Sequence, residues 1–195
     1  MSDLAHLDDL AHTCVAAVQR ALGIELDFTQ DTLPILDHYV SMAQGTKAEV
    51  IELLAPMAGA YFGEVVRRSV GPARWFAPGT DYDRYRLEFE NAFLHFNPLG
   101  MVVESILNGP ADGWNAHLQM LPQDRESVQA SLDALGGVRD SDYYRTSLRF
   151  EAIEQVYLVV SHLALSAGED TPYYSHEVYE ATLSTGVVPD DGKLH

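Results

Sequence analysis

The sequence predicts a helix-rich α+β domain in which a small antiparallel sheet of three or four strands packs against one central apolar helix. Residues 50–66 read VIELLAPMAGAYFGEVV, with only Glu52 and Glu64 among apolar and small residues. A soluble helix that is apolar on nearly every side is normally buried by several neighbours. Residues 84–90 instead alternate between charged and apolar side chains, which indicates a strand with a charged outer face and an apolar face towards the core.

The central helix carries a start signal. Thr46 and Glu49 have the spacing of a capping box, in which a hydroxyl and a carboxylate satisfy two backbone N–H groups. We therefore expect the helix to begin at this box and to end near Ser69.

Three residues inside the central helix predict its shape and packing. Pro56 predicts a kink one turn earlier, near Glu52, because proline lacks an N–H and clashes with the carbonyl four residues back. Gly59 and Gly63 lie four residues apart on one face. Because glycine has no side chain, this face is expected to allow the close approach of another backbone.

The remaining elements follow from periodicity and stop signals. Apolar residues at steps of three and four predict further helices over residues 2–22, 31–44, 97–108, 122–135, 141–167 and 176–183. Asn97 followed by Pro98 is a strong helix start, and we expect Ser141 to cap the last long helix. Alternating or short apolar runs predict strands over residues 74–76, 85–89, 92–96 and 114–120.

The composition limits the classes of partner and compartment. The chain has 195 residues, 47% of them hydrophobic, which favours one globular domain over residues 1–188 and a polar tail over 189–195. With 29 acidic and 12 basic side chains, the net charge of −17 argues against nucleic acid or an anionic membrane and favours a basic protein partner. Cys14 is the single cysteine, and the N-terminal residues MSDLAHLDDL lack the pattern of a signal peptide. We therefore expect a cytoplasmic protein.

Glu64 is the leading candidate site residue because its neighbours in the helix are apolar. A carboxylate among aromatic side chains can have a raised pKa and act as an acid or a base. The simpler interpretation is a structural ion pair with Arg67 or Arg68 one turn later, or with Arg74 beside Trp75.

The histidines do not form a clear set of metal ligands. Asp8 and His12 share a helical face, but the simpler interpretation is that both are ordinary polar residues on the solvent-exposed face of that helix. His95 and His117 lie in predicted strands and could face each other near Glu64, which would indicate a pocket with weak catalytic candidates. The sequence otherwise predicts no metal site and no cofactor, since the usual catalytic and nucleotide-binding motifs are absent.

Tyrosines occur in three close pairs near predicted element ends. Tyrosine offers a large contact area with a polar tip and is enriched at interfaces. The pairs therefore suggest a binding surface, with packing at the rim of the core as the alternative. They are Tyr82 and Tyr85, Tyr143 and Tyr144, and Tyr173 and Tyr174.

One segment resembles known domains. Residues 59–68, GAYFGEVVRR, followed by Arg74 and Trp75, resemble a loose set of uncharacterised bacterial domains of unknown function. These domains share a G-x-Y-x-G-E helix, a following tryptophan strand and a small antiparallel sheet, and the resemblance covers about residues 24–110. It implies no activity. Some similar small proteins occur near secretion or toxin systems, which favours an interaction role.

These observations favour a non-enzymatic cytoplasmic interaction or adaptor protein, of an antidote or immunity type, whose acidic surface binds a basic partner. The alternative is a small-molecule-binding domain or an enzyme with a pocket around Glu64, between the sheet and the helices. The sequence is compatible with both a monomer and a homo-oligomer.

Overall fold

The computed structural model describes residues 2–137, 139, 142–168 and 172–189, so most of the predicted polar tail lies outside the described residues. The described helices are α1 Ser2–Leu22, α2 Leu33–Ser41, α3 Ala48–Ser69, α4 Pro98–Leu107, α5 Arg125–Leu135, α6 Thr146–Ser166 and α7 His176–Thr185. The described strands are β1 Ala73–Phe76, β2 Arg86–Phe89, β3 Leu94–Phe96 and β4 Gln119–Met120. The predicted helix-rich α+β fold with a small antiparallel sheet is confirmed.

The four strands pair in chain order, each antiparallel to the next. Glu88 on β2 lies opposite Arg74 on β1 and His95 on β3, so these three side chains share one face of the sheet. The neighbouring row contains Trp75 and Leu87, which point to the opposite face, towards α3 and the main core. The sheet therefore has one polar row and one apolar row.

Helix α7 covers the polar row. The hydroxyl of Tyr179 on α7 donates to backbone carbonyls beside the turn between β2 and β3 and accepts from the N–H of Leu94 at 3.0 Å. The ring of Tyr179 stacks on Phe93 with centroids 4.5 Å apart. Both faces of the sheet are thus packed against helices, α3 on one side and α7 on the other.

The close approach predicted at Gly59 and Gly63 is present. A Cβ atom on Gly59 would lie 2.4 Å from the backbone Cα of Leu99, so α4 crosses α3 at this glycine. A Cβ atom on Gly63 would lie 2.2 Å from the ring of Trp75. One glycine therefore admits a helix backbone and the other admits an aromatic ring from β1.

The predicted capping box at the start of α3 is wrong. Lys47 occupies the cap position without a side-chain cap bond, and the Thr46 hydroxyl donates instead to the carbonyl of Ala43 at 2.7 Å. Thr46 thereby satisfies a carbonyl of the turn that follows α2. By contrast, Asn97 caps α4 as expected, because its side-chain oxygen accepts from two backbone N–H groups of the first turn.

The predicted strand over residues 114–120 is reduced to the two residues of β4. Asn115 has a φ of 50°, in the left-handed region, which interrupts the extended conformation that the alternating pattern suggested. Its side-chain amide donates to the carbonyl of Asp83 at 3.2 Å. The alternation here comes from a turn anchored by Asn115 and not from a long strand.

The start of α6 is capped by a residue far away in the chain. Ser141, the predicted cap, lies outside the described residues, and the helix begins at Thr146. The carboxylate of Asp37 on α2 accepts from the backbone N–H groups of Thr146 at 2.6 Å and Ser147 at 3.2 Å. This cap joins α2 to α6.

Among the described helices, none is long and apolar enough to cross a bilayer.

Candidate functional site

Glu64 lies at the centre of a structural ion-pair cluster. Its side chain is buried, and its two carboxylate oxygens accept hydrogen bonds from Arg67 at 2.9 Å each. Arg68 donates at 3.3 Å, and the indole N–H of Trp75 donates at 2.9 Å from the apolar face of the sheet. The carboxylate thus joins the end of α3 to β1. Arg74, the third partner considered from the sequence, pairs with other carboxylates.

The environment of Glu64 favours the ionised form of its carboxylate. Burial raises the pKa of Glu64, but hydrogen bonds from Arg67 and Trp75 outweigh burial and hold the pKa below its usual value. A cavity of about 300 Å³ opens beside this carboxylate. Because both oxygens already accept hydrogen bonds, the geometry does not favour proton transfer by Glu64.

The two histidines predicted to lie near Glu64 are elsewhere. His95 faces α7, on the opposite side of the sheet from Trp75 and Glu64. His117 is exposed and lines a cavity formed by α4, α5 and α6. The structure therefore does not bring Glu64, His95 and His117 together.

A second polar cluster, which we call the α7 polar layer, lies between the sheet and α7 and contains Arg74, Arg86, Glu88, His95, His176 and Glu180. Glu88 is its centre and is 0% exposed. Its carboxylate contacts Arg86 at 3.0 Å, Arg74 at 3.4 Å and the Nδ1 atom of His176 at 3.1 Å. The same Arg86 guanidinium also pairs with Glu180 on α7.

This layer corrects the sequence prediction for β2. The charged face of that strand was expected to face solvent, but Glu88 is fully buried because α7 covers it. The sequence contains one signal that could have indicated that a helix packs over Glu88. His176 and Glu180 are four residues apart, so they share a helical face and can approach one strand together.

His95 is the least satisfied member of the α7 polar layer. Its side chain is 5% exposed, and its Nε2 atom has no hydrogen-bond partner among the described residues. The rings of Phe93 and Tyr179 lie 6.0 and 5.6 Å from the imidazole. Burial lowers the pKa of His95 to about 4, with a further decrease from Arg86 and an opposing effect of Glu180. The imidazole is therefore neutral at neutral pH.

A cavity of about 770 Å³, which we call the α5–α6 groove, is bounded by α4, α5 and α6. Its floor is apolar and includes Met101, Leu118, Leu132, Leu148 and Ile153. Polar side chains also line this cavity and, apart from that of Arg149, they are exposed: Gln129, Asp133, Tyr143, Arg149, Glu151 and His117. The groove thus combines apolar area with charged groups at the edge.

Arg149, the arginine among the described residues that line this groove, is neutralised. Arg149 donates to the buried carboxylate of Glu104 at 2.6 Å, and its guanidinium lies 4.9 Å from the centroid of the Tyr143 ring. Asp133 and Glu151 are exposed. The charge that the groove offers to a ligand is therefore predominantly acidic.

The tyrosine pairs contact different elements of the fold. Tyr85 is fully buried, with its hydroxyl 2.5 Å from the carbonyl of Gly79, and Tyr174 is also buried. Tyr143 and Tyr173 are 53% and 47% exposed, respectively. Tyr82 and Tyr144 are half-buried and contact the rings of their pair partners. Of the six tyrosines, Tyr143 and Tyr173 present the most surface to a partner.

No protein family, curated protein or solved structure matches this chain. The resemblance of residues 24–110 to uncharacterised bacterial domains stays a prediction.

Glu64→Ala is expected to destabilise the protein by about 1.5–3 kcal/mol, because it removes the shared acceptor of an indole N–H and of two arginines that are themselves partly exposed. The free energy of unfolding from urea denaturation at neutral pH measures this loss. Glu52→Ala removes an exposed carboxylate from the same helix and should change stability by less than about 0.5 kcal/mol. A Glu64→Ala change as small as that of the control would contradict a structural role for the cluster.

His95 is expected to make the protein less stable in mild acid. Because its folded-state pKa is lowered to about 4, the unfolded chain binds more protons between about pH 6.5 and 4, and stability falls as the pH falls through this range. The loss between pH 7 and 4.5 should be roughly 2–3 kcal/mol smaller in His95→Leu than in the wild type. Urea denaturation at both pH values measures it.

The matched control for this pH experiment is His117→Leu, which removes an exposed imidazole. This variant should lose as much stability in acid as the wild type. Equal acid sensitivity of His95→Leu and the wild type would show that burial of His95 does not contribute to the pH dependence.

Proposed function

We propose that this protein is a non-enzymatic binding protein that holds a basic, amphipathic segment of a protein partner in the α5–α6 groove. The observation that carries the proposal is the combination of an apolar floor with Asp133 and Glu151 at the edge. A volume of about 770 Å³ is large enough to receive several side chains. In helix-in-groove recognition, the apolar side chains of the bound helix pack on such a floor, and the polar side chains of the helix contact the edge of the groove.

The distribution of charge supports a basic partner. Eight arginines lie in ion pairs with carboxylates of the protein itself: Arg67, Arg68, Arg74, Arg84, Arg86, Arg139, Arg145 and Arg149. The chain has only 12 lysines and arginines against 29 acidic residues, so the acidic excess remains on the surface. Such a field attracts a basic protein and repels nucleic acid and anionic lipid headgroups.

The alternative of a small-molecule site or an active site around Glu64 has weaker support. The cavity beside Glu64 measures about 300 Å³, and the carboxylate in it is already bonded on both oxygens. The α5–α6 groove has the larger volume, about 770 Å³, and the larger apolar lining of these two cavities.

A cytoplasmic setting belongs to the same proposal. Cys14 is the chain's one cysteine, and its thiol is buried in the core, where burial raises its pKa to about 12. A small domain stabilised by a core and ion pairs, without an internal disulfide, suits a reducing compartment. The partner is a protein with clustered Lys and Arg, and a homo-oligomer remains compatible with this role.

A fluorescein-labelled amphipathic peptide with one leucine face and one lysine face is expected to bind the protein, with affinity that falls as salt is raised. The double variant Asp133→Asn, Glu151→Gln should weaken binding about tenfold at low salt, since it removes two rim charges worth roughly 0.5–1 kcal/mol each. Fluorescence anisotropy measures the dissociation constants.

The charge-matched control is Glu49→Gln, Glu52→Gln, which removes two exposed carboxylates at the start of α3. It should change the affinity by less than about twofold. Equal weakening by both double variants would show that general electrostatics, and not the groove, holds the peptide. Equally tight binding of a peptide with glutamate in place of lysine would also contradict the proposal.

A further inference from the structure

Three potential metal ligands converge in the α7 polar layer. Glu88 contributes a carboxylate from β2, and His176 and Glu180 contribute an imidazole and a carboxylate from the facing side of α7. One ligand atom from each of the three lies within 4.8 Å of the other two. In an octahedral site with bonds of about 2.1 Å, ligands on opposite sides of the ion are about 4.2 Å apart. Small side-chain movements therefore bring these atoms to coordinating distance.

A fourth nitrogen lies on the same face of the sheet, outside the group of three ligand atoms that lie within 4.8 Å of one another. His95 is opposite Glu88 in the register of β2 and β3, so both side chains point to α7. Its Nε2 atom is buried and has no hydrogen-bond partner among the described residues. A buried nitrogen in this state is costly in a folded protein, and a metal ion would use its lone pair.

The position between the two carboxylates already holds a cation. The Arg86 guanidinium contacts both Glu88 and Glu180 and lies 4.3 Å from the centroid of the Phe76 ring. Arg86 and Arg74 together face three carboxylates, those of Glu88, Glu90 and Glu180. This group therefore has one more carboxylate than it has arginines, and Arg86 is the side chain that an incoming ion has to displace.

We propose that Glu88, His176 and Glu180 bind a divalent transition-metal ion when Arg86 moves aside, and that the His95 side chain turns towards the ion as a fourth donor. Two carboxylates and imidazole nitrogen suit Zn²⁺, Mn²⁺, Fe²⁺ or Co²⁺, whereas Ca²⁺ and Mg²⁺ prefer oxygen ligands throughout and Cu⁺ prefers sulfur. The site is separate from the α5–α6 groove. It links α7 to the sheet, so a bound ion would hold the helix on this face of the fold.

Titration of the full-length, tag-free protein with CoCl₂ tests the site by calorimetry and by the visible absorption of bound Co²⁺. We expect one ion per chain and saturable binding. His176→Gln and Glu180→Gln each change a side chain that is not fully buried. His176→Gln should weaken binding by at least about 100-fold, and Glu180→Gln by at least about tenfold. Arg86→Gln removes the competing cation and should tighten binding about tenfold. Circular dichroism confirms that each variant is folded.

The control is His12→Gln, because Asp8 and His12 form an exposed carboxylate and imidazole pair 3.7 Å apart on α1. This variant should bind Co²⁺ as tightly as the wild type. The proposal is overturned if the wild type shows no saturable binding, or if His176→Gln and Glu180→Gln bind normally. It is equally overturned if His12→Gln loses the ion, or if Arg86→Gln fails to tighten binding.

Discussion

A buried, ionised carboxylate needs a cation in contact with it, and in this protein arginine meets that need at three places. Glu64 is held by Arg67 and Arg68, and Glu88 by Arg74 and Arg86. The third carboxylate, that of Glu104 on α4, is held by Arg149 of α6, which also lines the α5–α6 groove. Removing one partner from such a pair leaves an uncompensated buried charge, which is among the most costly changes a core can undergo.

These pairs decide how the elements pack. The Glu64 cluster joins α3 to β1 through Trp75, and the Glu88 cluster joins the sheet to α7 through His176. The pair between Glu104 and Arg149 joins α4 to α6. Hydrophobic contacts supply most of the driving force for folding, but they are not directional. The ion pairs add directional contacts of particular helices with one another and with particular faces of the sheet.

The same pairing shapes the surface. An arginine that neutralises an internal carboxylate is no longer available to neutralise the exterior, and the chain has few basic residues to begin with. In the α5–α6 groove, Arg149 is occupied by Glu104, while Asp133 and Glu151 remain at the edge. The acidic character of the proposed binding site thus comes from two exposed carboxylates beside an arginine that is already paired.

Local signals in the sequence predicted the parts of the fold that depend on local contacts. The apolar run of α3, the Asn97 cap and the close approach at Gly59 all follow from residues within a few positions of one another. The partners of Glu64 were within reach of the same reasoning, since Arg67 and Arg68 lie one turn away.

The parts of the fold that the sequence did not predict depend on contacts between residues far apart in the chain. Asp37 caps α6 from 109 residues away, and His176 meets Glu88 from 88 residues away. Periodicity predicts a charged face on β2 but does not show what covers that face, and α7 buries Glu88 on it. The α5–α6 groove likewise forms only when three helices meet, and no pattern within one helix indicates it.

The most direct test of the central role of the buried ion pairs is hydrogen exchange in Glu88→Gln. This change keeps the shape of the side chain but leaves Arg74 and Arg86 facing a neutral group under α7. The account predicts that backbone amides of α7 lose protection while those of α3 keep it, because the pair holds α7 on the sheet. Unchanged protection of α7 would show that apolar contacts alone hold this helix and would contradict the account.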